Sequence, residues 1–221
     1  MCISDRLSSA LRLPGIAYYD LVELDISNTG IDHLFFLIDF PAIQTLDIAN
    51  NPLDNLNGLA NLFQLTTLNA GGIALENTAD LAQFTSLTTL SLAAHNLDNP
   101  SDIIEVIRNN PSLTTLEIPG FPLNDLTELP LVKDNGSFYA LSRLDVSRSG
   151  IQNIDHLINF PLLERLDISH NQVTDLQVLS TLSNLQQFYA ANNRISDMLP
   201  MYLIHNFPFR LQPRVRYGWA R

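Results

Sequence analysis

Asp167, Ser169 and His170 stand within four positions of one another in the stretch ERLDISHNQVTDL, residues 164–176. They are the three residue types of a hydrolytic triad, in which a histidine takes the hydroxyl proton and a carboxylate orients the histidine. The chemistry needs all three within hydrogen-bond reach, beside a pocket with donors for the oxyanion. Other reactive residue types are thinly spread. His33, His95, His156, His170 and His205 are scattered without metal-ligand spacing. Gly71 and Gly72 lie in NAGGIAL, which lacks phosphate-loop spacing and opens no helix. These glycines are expected to flatten the surface around them. Cys2 is the only cysteine, which excludes a disulfide framework and a cysteine-ligated zinc site. No cofactor and no metal are expected.

The element that positions the triad types recurs. The segments LVELDISNTGIDHL from 21, IQTLDIANNPLDNL from 43, LTTLNAGGIALENT from 65 and LTTLSLAAHNLDNP from 87 share one pattern. LTTLEIPGFPLNDL from 113, LSRLDVSRSGIQNI from 141, LERLDISHNQVTDL from 163 and LQQFYAANNRISDM from 185 continue it. Their starts fall 22, 22, 22, 26, 28, 22 and 22 residues apart. These eight copies resemble leucine-rich repeats, whose pattern is L-x-x-L-x-L-x-x-N-x-L, and the 22-residue period resembles the SDS22-like subclass. The resemblance implies an α/β solenoid: a right-handed arc with a parallel concave β-sheet, short 3₁₀ or irregular turns on the convex side, and one short helix. It divides the chain into an N-terminal cap over 1–20, eight repeats over 21–207, and a C-terminal cap with a basic tail over 208–221.

The physics agrees. Leu24 and Ile26, then Leu46 and Ile48, alternate with polar residues, which is the period of a short strand with one apolar face. Such a face is buried only by stacking neighbours. Segments such as IDHLFFLIDFPA return Leu34, Leu37 and Phe40 to the same core at spacings that suit 3₁₀ turns.

Some positions depart from the pattern. The asparagine slot holds Asn51, Asn171 and Asn193, but Thr29, Ile73, His95, Phe121 and Ser149 in the other copies. Looser loops are expected where it is apolar, at Ile73 and Phe121. Copy four is lengthened by NPSDIIEVIRNNPS, where Asp102 and Glu105 have capping-box spacing. Ile103, Ile104 and Ile107 share a helical face there. Copy five carries LVKDNGSFYA, with a turn at Asn135-Gly136 and the only lysine, Lys133. Copies one and six are alike (GIDHLFFLIDFPAIQTLDI against GIQNIDHLINFPLLERLDI), which fits either internal duplication or parallel constraint. A helix over ISDRLSSALRL is expected in the N-terminal cap. MYLIHNFPFRL, with Tyr202, Ile204 and Pro208, loosely resembles the subclass's C-terminal cap.

The repeat answers the triad question. Asp167 sits between core residues Leu166 and Ile168, and the same slots elsewhere read Asp25/Ser27/Asn28 and Asp145/Ser147/Arg148. The three residues therefore spread along an open strand with no pocket, and the protein is expected not to be an enzyme.

The outward slots define a candidate partner-binding face. One row runs Glu23, Thr45, Thr67, Thr89, Thr115, Arg143, Arg165, Gln187. The next runs Asp25, Asp47, Asn69, Ser91, Glu117, Asp145, Asp167, Tyr189. Asp25 beside Asp47 and Asp145 beside Asp167 are like-charge pairs, which destabilise a sheet. Arg143, Arg165 and Arg148 are expected to compensate the second pair, while the first has no basic neighbour. Aspartate in this slot is either the repeat's habit or part of a polar ligand surface. Between the two ends the face is small and uncharged. Tyr189 is either an interface anchor or packed under the C-terminal cap. His170 closes the set of candidate residues.

The net charge of −11 is uneven. Arg210, Arg214, Arg216 and Arg221 give residues 210–221 a charge of +4, which leaves −15 on residues 1–209. An acidic body repels phosphate backbones, so no nucleic-acid partner is expected. Trp219 and Tyr217 lie in that tail, which is free to fold back, bind elsewhere or stay disordered. No run of about 18 apolar residues spans a membrane. Asp5, Arg6 and Arg12 interrupt any secretory apolar region. A cytoplasmic, monomeric protein is expected. The resemblance implies a non-catalytic adaptor that binds another protein on its concave face; regulators of a phosphatase are among such adaptors. The alternatives are a self-associating structural protein and a secreted or effector repeat protein.

Overall fold

The computed structural model describes residues 20–73, 75, 81–92, 101–123, 126–129 and 140–202. The chain divides into two units, residues 1–113 and 114–221. In the first unit the strands are β1 (Glu23–Asp25), β2 (Thr45–Asp47), β3 (Thr67–Ala70) and β4 (Thr89–Leu92), followed by helix α1 (Ser101–Asn109). The second contains β5 (Thr115–Glu117), β6 (Arg143–Asp145), β7 (Arg165–Asp167), β8 (Gln187–Tyr189) and the short α2 (Leu199–Tyr202). Within each unit neighbouring strands pair in parallel, in chain order and in the register of the repeat: Leu24 to Leu46 to Leu68 to Leu90, and Leu116 to Leu144 to Leu166 to Phe188. This is the leucine-rich-repeat solenoid fold expected from the sequence.

Each strand is three or four residues long because only two or three apolar side chains per copy point inward. Ile43, Leu46, Ile48, Leu53, Leu56, Leu59 and Leu62 of copy two are all buried, and so are Leu163, Leu166, Ile168, Val173, Leu176, Leu179 and Leu182 of copy seven. A fully buried leucine is worth about 2 kcal/mol against exposure, and no single copy could exclude water from its seven alone. The return segments form 3₁₀ turns at Phe35–Asp39, Leu59–Asn61, Asp155–Asn159 and Gln177–Thr181. They send Leu37, Leu59, Leu157 and Leu179 into the core. Gly58 (φ 107°) opens one of them, and a Cβ there would meet the Leu34 carbonyl oxygen at 2.5 Å. Only glycine lets the two turns approach this closely.

The buried asparagines tie copies together. Asn51 Oδ1 accepts the backbone N–H groups of Thr29, Gly30 and Ile31 at 3.1, 2.8 and 3.1 Å. Its Nδ2 donates to the carbonyls of Ile26 and Ile48, both at 2.8 Å. Asn171 repeats this with the N–H groups of Ser149 and Ile151 and the carbonyls of Val146 and Ile168. Asn193 accepts from Val173 and donates to Ile168 and Ala190. Each asparagine thus satisfies the loop of the preceding copy, which explains why the first copies of a run can do without one. Thr29 and Ser149 instead turn their hydroxyls onto the carbonyls of Ile26 and Ser147. Ile73 and Phe121 are buried, so the slot there is filled as core. The loops beyond them lie in part outside the described residues.

The helix expected in copy four is present, with one revision to its face. Ile103, Val106 and Ile107 are buried while Ile104 is half-buried, so Val106 takes the place expected of Ile104. Spacing i, i+3, i+4 rather than i, i+1, i+4 marks the buried stripe. Glu105 pairs with Arg108 at 2.7 Å, and the Asp102 side chain lies outside the described residues. Asn110, just past the helix, has no sequence signal beyond the Asn-Pro pair that it begins. It is 1 % exposed, donates to the carbonyls of Phe84 and Val106 and accepts the Leu87 N–H at 2.7 Å. The N-terminal cap helix, the copy-five insert, the C-terminal cap beyond Tyr202 and the basic tail all lie outside the described residues.

Candidate partner-binding face

Alternation along each strand sends every second side chain away from the core. None of the thirteen candidate residues is buried. In the first unit, Glu23 and Asp25 of β1, Asp47 of β2, Asn69 of β3 and Ser91 of β4 line up in register. In the second, Glu117, Asp145, Asp167 and Tyr189 form one row and Thr115, Arg143, Arg165 and Gln187 the row beside it. Arg148 and His170 stand just past the ends of β6 and β7.

The row of acids has a structural duty. Asp25 Oδ1 accepts the N–H of Ser27 at 2.9 Å, Asp47 that of Ala49, Asp145 that of Ser147 and Asp167 that of Ser169. Asn69 does the same for Gly71 at 3.2 Å. A short acceptor at this slot closes the strand end as an Asx turn, which accounts for the recurring LDIS wording. Asp47 Oδ2 also accepts Asn69 Nδ2 at 2.8 Å, which relieves its pairing with Asp25.

The triad types are accordingly committed elsewhere. The Asp167 carboxylate takes the Ser169 backbone N–H, and His170 Nδ1 lies 3.2 Å from Asn192 Nδ2. His170 has φ 59° because the chain turns there, and its N–H continues the sheet ladder to the Ala191 carbonyl at 2.7 Å. Asn28, Asn50, Arg148 and Asn192 adopt the same left-handed conformation, and Gly72 and Gly120 share it at φ 72° and 78°. A Cβ on Gly72 would run into Asn50 Oδ1. Gly72 therefore serves backbone geometry and close approach to Asn50. The sequence signal for this column is Asn or Gly four positions after the strand's central leucine, as in Asn28 after Leu24 and Asn50 after Leu46.

The carboxylates differ in environment. The Ser27 N–H holds the Asp25 carboxyl below its ordinary value. Burial pushes Asp145 up, against the hydrogen bonds from Ser147, and repulsion from Asp167 and Glu117 adds to the rise. The expected compensation by arginine is revised. Among the described residues, Arg143, Arg148 and Arg165 form no ion pair with Asp145 or Asp167. Neighbouring outward residues of one strand stand about 6.6 Å apart, within reach of an arginine, so the direction that each side chain takes decides the contact. Arg165 instead donates to Gln187 Oε1 at 2.7 Å and covers the Tyr189 ring at 4.8 Å. Tyr189 is 42 % exposed, so it belongs to the face.

The family model for two copies of leucine-rich repeats matches residues 161–201. No curated protein sequence matches the chain. Among solved structures, an internalin from Listeria monocytogenes is 20 % identical with a TM-score of 0.65, over 86 % of this chain and 60 % of its own length. Internalin C2 from the same organism is 22 % identical with a TM-score of 0.70, over 86 % of this chain and 80 % of its own. The Arabidopsis receptor kinase HAESA, solved in complex with a peptide hormone and a co-receptor, is 17 % identical with a TM-score of 0.58. That match covers 85 % of this chain and 38 % of HAESA. At these identities the likeness is one of fold.

Proposed function

We propose that this protein is a non-catalytic scaffold that binds a partner protein on the outward face of its sheet. The observation that carries this reading is Tyr189, exposed on the last strand with the Arg165 guanidinium stacked on its ring. An aromatic side chain braced by arginine on a stiff sheet is a typical interface anchor, because little side-chain freedom is left to lose on binding. The structure of HAESA with a peptide hormone supports a protein or peptide as the ligand class. The 22-residue period supports a place in the SDS22-like subclass and, with it, a role as an adaptor or regulatory subunit. The single cysteine suits a reducing, intracellular setting. The likeness to internalins favours a second reading, a secreted or effector protein that grips its target in the same way.

Affinity capture from a lysate, read by mass spectrometry, tests the reading. The comparison protein has Asp25, Asp47, Arg143, Arg165 and Tyr189 all replaced by alanine and is checked for folding by circular dichroism. A partner retained by the wild type and lost by the variant is the expected result. Equal retention by both moves binding off the sheet face. Concentration-dependent mass with no captured partner replaces the scaffold reading with self-association.

A further inference from the structure

The outward face of β5–β8 is banded by charge along the strand direction. Arg143 and Arg165 are in register on neighbouring strands, about 4.8 Å apart. Two residues on, Asp145 and Asp167 form a parallel acidic band that Glu117 extends. Beyond the strand ends, Arg148 and His170 make a second band of basic type. The bands do not neutralise one another through ion pairs among the described residues. Arg165 is meanwhile held in place by Gln187 and Tyr189, with guanidinium donors left over.

A second observation is independent of charge. Arg148 and His170 adopt φ 61° and 59°. At equivalent places the chain uses Asn28, Asn50, Gly72, Gly120 and Asn192, residue types that enter this region at little cost. Only two described copies put a larger side chain there, and those copies are adjacent. Histidine enters this region more readily than arginine, so it is the strain at Arg148 that points to a use for its side chain.

An extended polypeptide presents alternate side chains at about 6.6–6.8 Å, the same interval that separates the arginine band from the aspartate band. A polyanion would meet the acidic band, and a polycation would meet the two outer ones. A segment of alternating charge satisfies all three. We propose that the β5–β8 face binds an extended segment of a partner protein whose same-side residues read acid, base, acid, with the acids on the Arg143/Arg165 and Arg148/His170 bands and the base on Asp145/Asp167. This rests on the sheet-face reading above and gives it a ligand chemistry.

The probe is a fluorescent peptide, Gly-Ser-Glu-Ser-Lys-Ser-Glu-Ser-Gly, titrated with the full chain at low salt and followed by anisotropy. The controls exchange Glu and Lys, or replace Lys by Glu. We expect the first peptide to bind about ten-fold more tightly than either control, an electrostatic complementarity effect that salt weakens. The double variant Arg143→Glu/Arg165→Glu should lose that preference. The double variant Arg148→Gly/His170→Asn should bind several-fold more weakly while melting at a higher temperature, a pairing that a purely structural role would not produce. Equal binding of a control peptide, no binding of any peptide, or no change in the Arg143/Arg165 variant overturns the inference. If binding instead responds only to Asp25→Ala/Asp47→Ala, the sheet-face reading stands and this one falls. If capture of the cellular partner also ignores every face variant, both fall.

Discussion

The copies around Asn51 and those around Asn171 share one interior and carry different exteriors. The 3₁₀ turn at Phe35–Asp39 is entered at φ −114°, ψ 10° and left at −125°, 58°; the turn at Asp155–Asn159 is entered at −122°, 10° and left at −120°, 61°. Asn51 and Asn171 reach carbonyls 25 and 3 residues back at 2.8 to 2.9 Å in both units. Outside, Glu23 and Thr45 in the first unit hold the repeat slot that Arg143 and Arg165 hold in the second. Stacking dictates every inward position, so the interior has one solution. Outward positions that close no strand end, such as Glu23, Thr45, Arg143 and Arg165, are free to differ, and differences there are where function can be written.

The comparison breaks most visibly at the asparagines. Asn51→Ala leaves three N–H groups and two carbonyls without their buried partner; Asn171→Ala leaves two N–H groups and two carbonyls. With each buried orphan worth about 1–3 kcal/mol before relaxation, both variants should lose about 3 kcal/mol, Asn51→Ala slightly more. Urea unfolding monitored by circular dichroism reads this. A loss confined to one of the two would show that the interiors are not equivalent.

The repeat, the strand positions, the return turns and the copy-four helix were all legible because each follows from periodic burial, which a sequence states directly. The thirteen outward candidates were legible for the same reason, as the complement of the core phase. Asn110 was not, because it acts across to Phe84 and Leu87, 26 and 23 residues away, and no local pattern announces such a partner. The Asn-Pro pair at 110–111 after an amphipathic stretch was its only trace. Arginine one slot away predicts compensation of the Asp145/Asp167 pair, but a neighbouring slot does not by itself set an ion pair. Side-chain direction decides that, and Arg165 turns to Tyr189 instead.

A smaller effect separates the exteriors. Replacing Arg148 by Gly removes a residue ill-suited to φ near 60° and should stabilise the fold by about 0.5–1 kcal/mol, whereas His170→Asn exchanges two types that this region tolerates and should gain no more than a few tenths of a kcal/mol. Asn50→Gly, at an equally left-handed position already held by a tolerant residue, should change it by only a few tenths of a kcal/mol. Thermal melts of the three variants make the test. Destabilisation by His170→Asn would mean that the histidine earns its place by packing against Asn192 rather than by serving the face.

The smallest effect concerns the two aspartate pairs, which share a register and differ in surroundings. Asp25 is on the first described strand, has one acidic cross-strand neighbour and is exposed. Asp145 has an acid on both sides, Glu117 and Asp167, and is partly buried. The fold lowers the Asp25 pKa, so the contribution of its ionised form is present above the unfolded value and is lost as pH falls through the folded one. The fold raises the Asp145 pKa, so its favourable contribution is present below the unfolded value and is lost as pH rises through the folded one. Near neutral pH its carboxylate is therefore a liability. Asp145→Asn keeps an oxygen for the Ser147 N–H, as Asn69 does for Gly71, and removes the charge. It should raise stability at pH 7 by about 0.5 kcal/mol, the scale of one cross-strand pair. The gain should vanish below pH about 4, where aspartate is protonated in both states. Asp25→Asn should shift the melting temperature weakly in the opposite direction at neutral pH, with the difference again closing in acid. Melting curves of both variants and the wild type across the acid-to-neutral range read the two signs. Equal signs at neutral pH would mean that burial and flanking charge do not distinguish the pairs, and that the two exteriors are electrostatically alike.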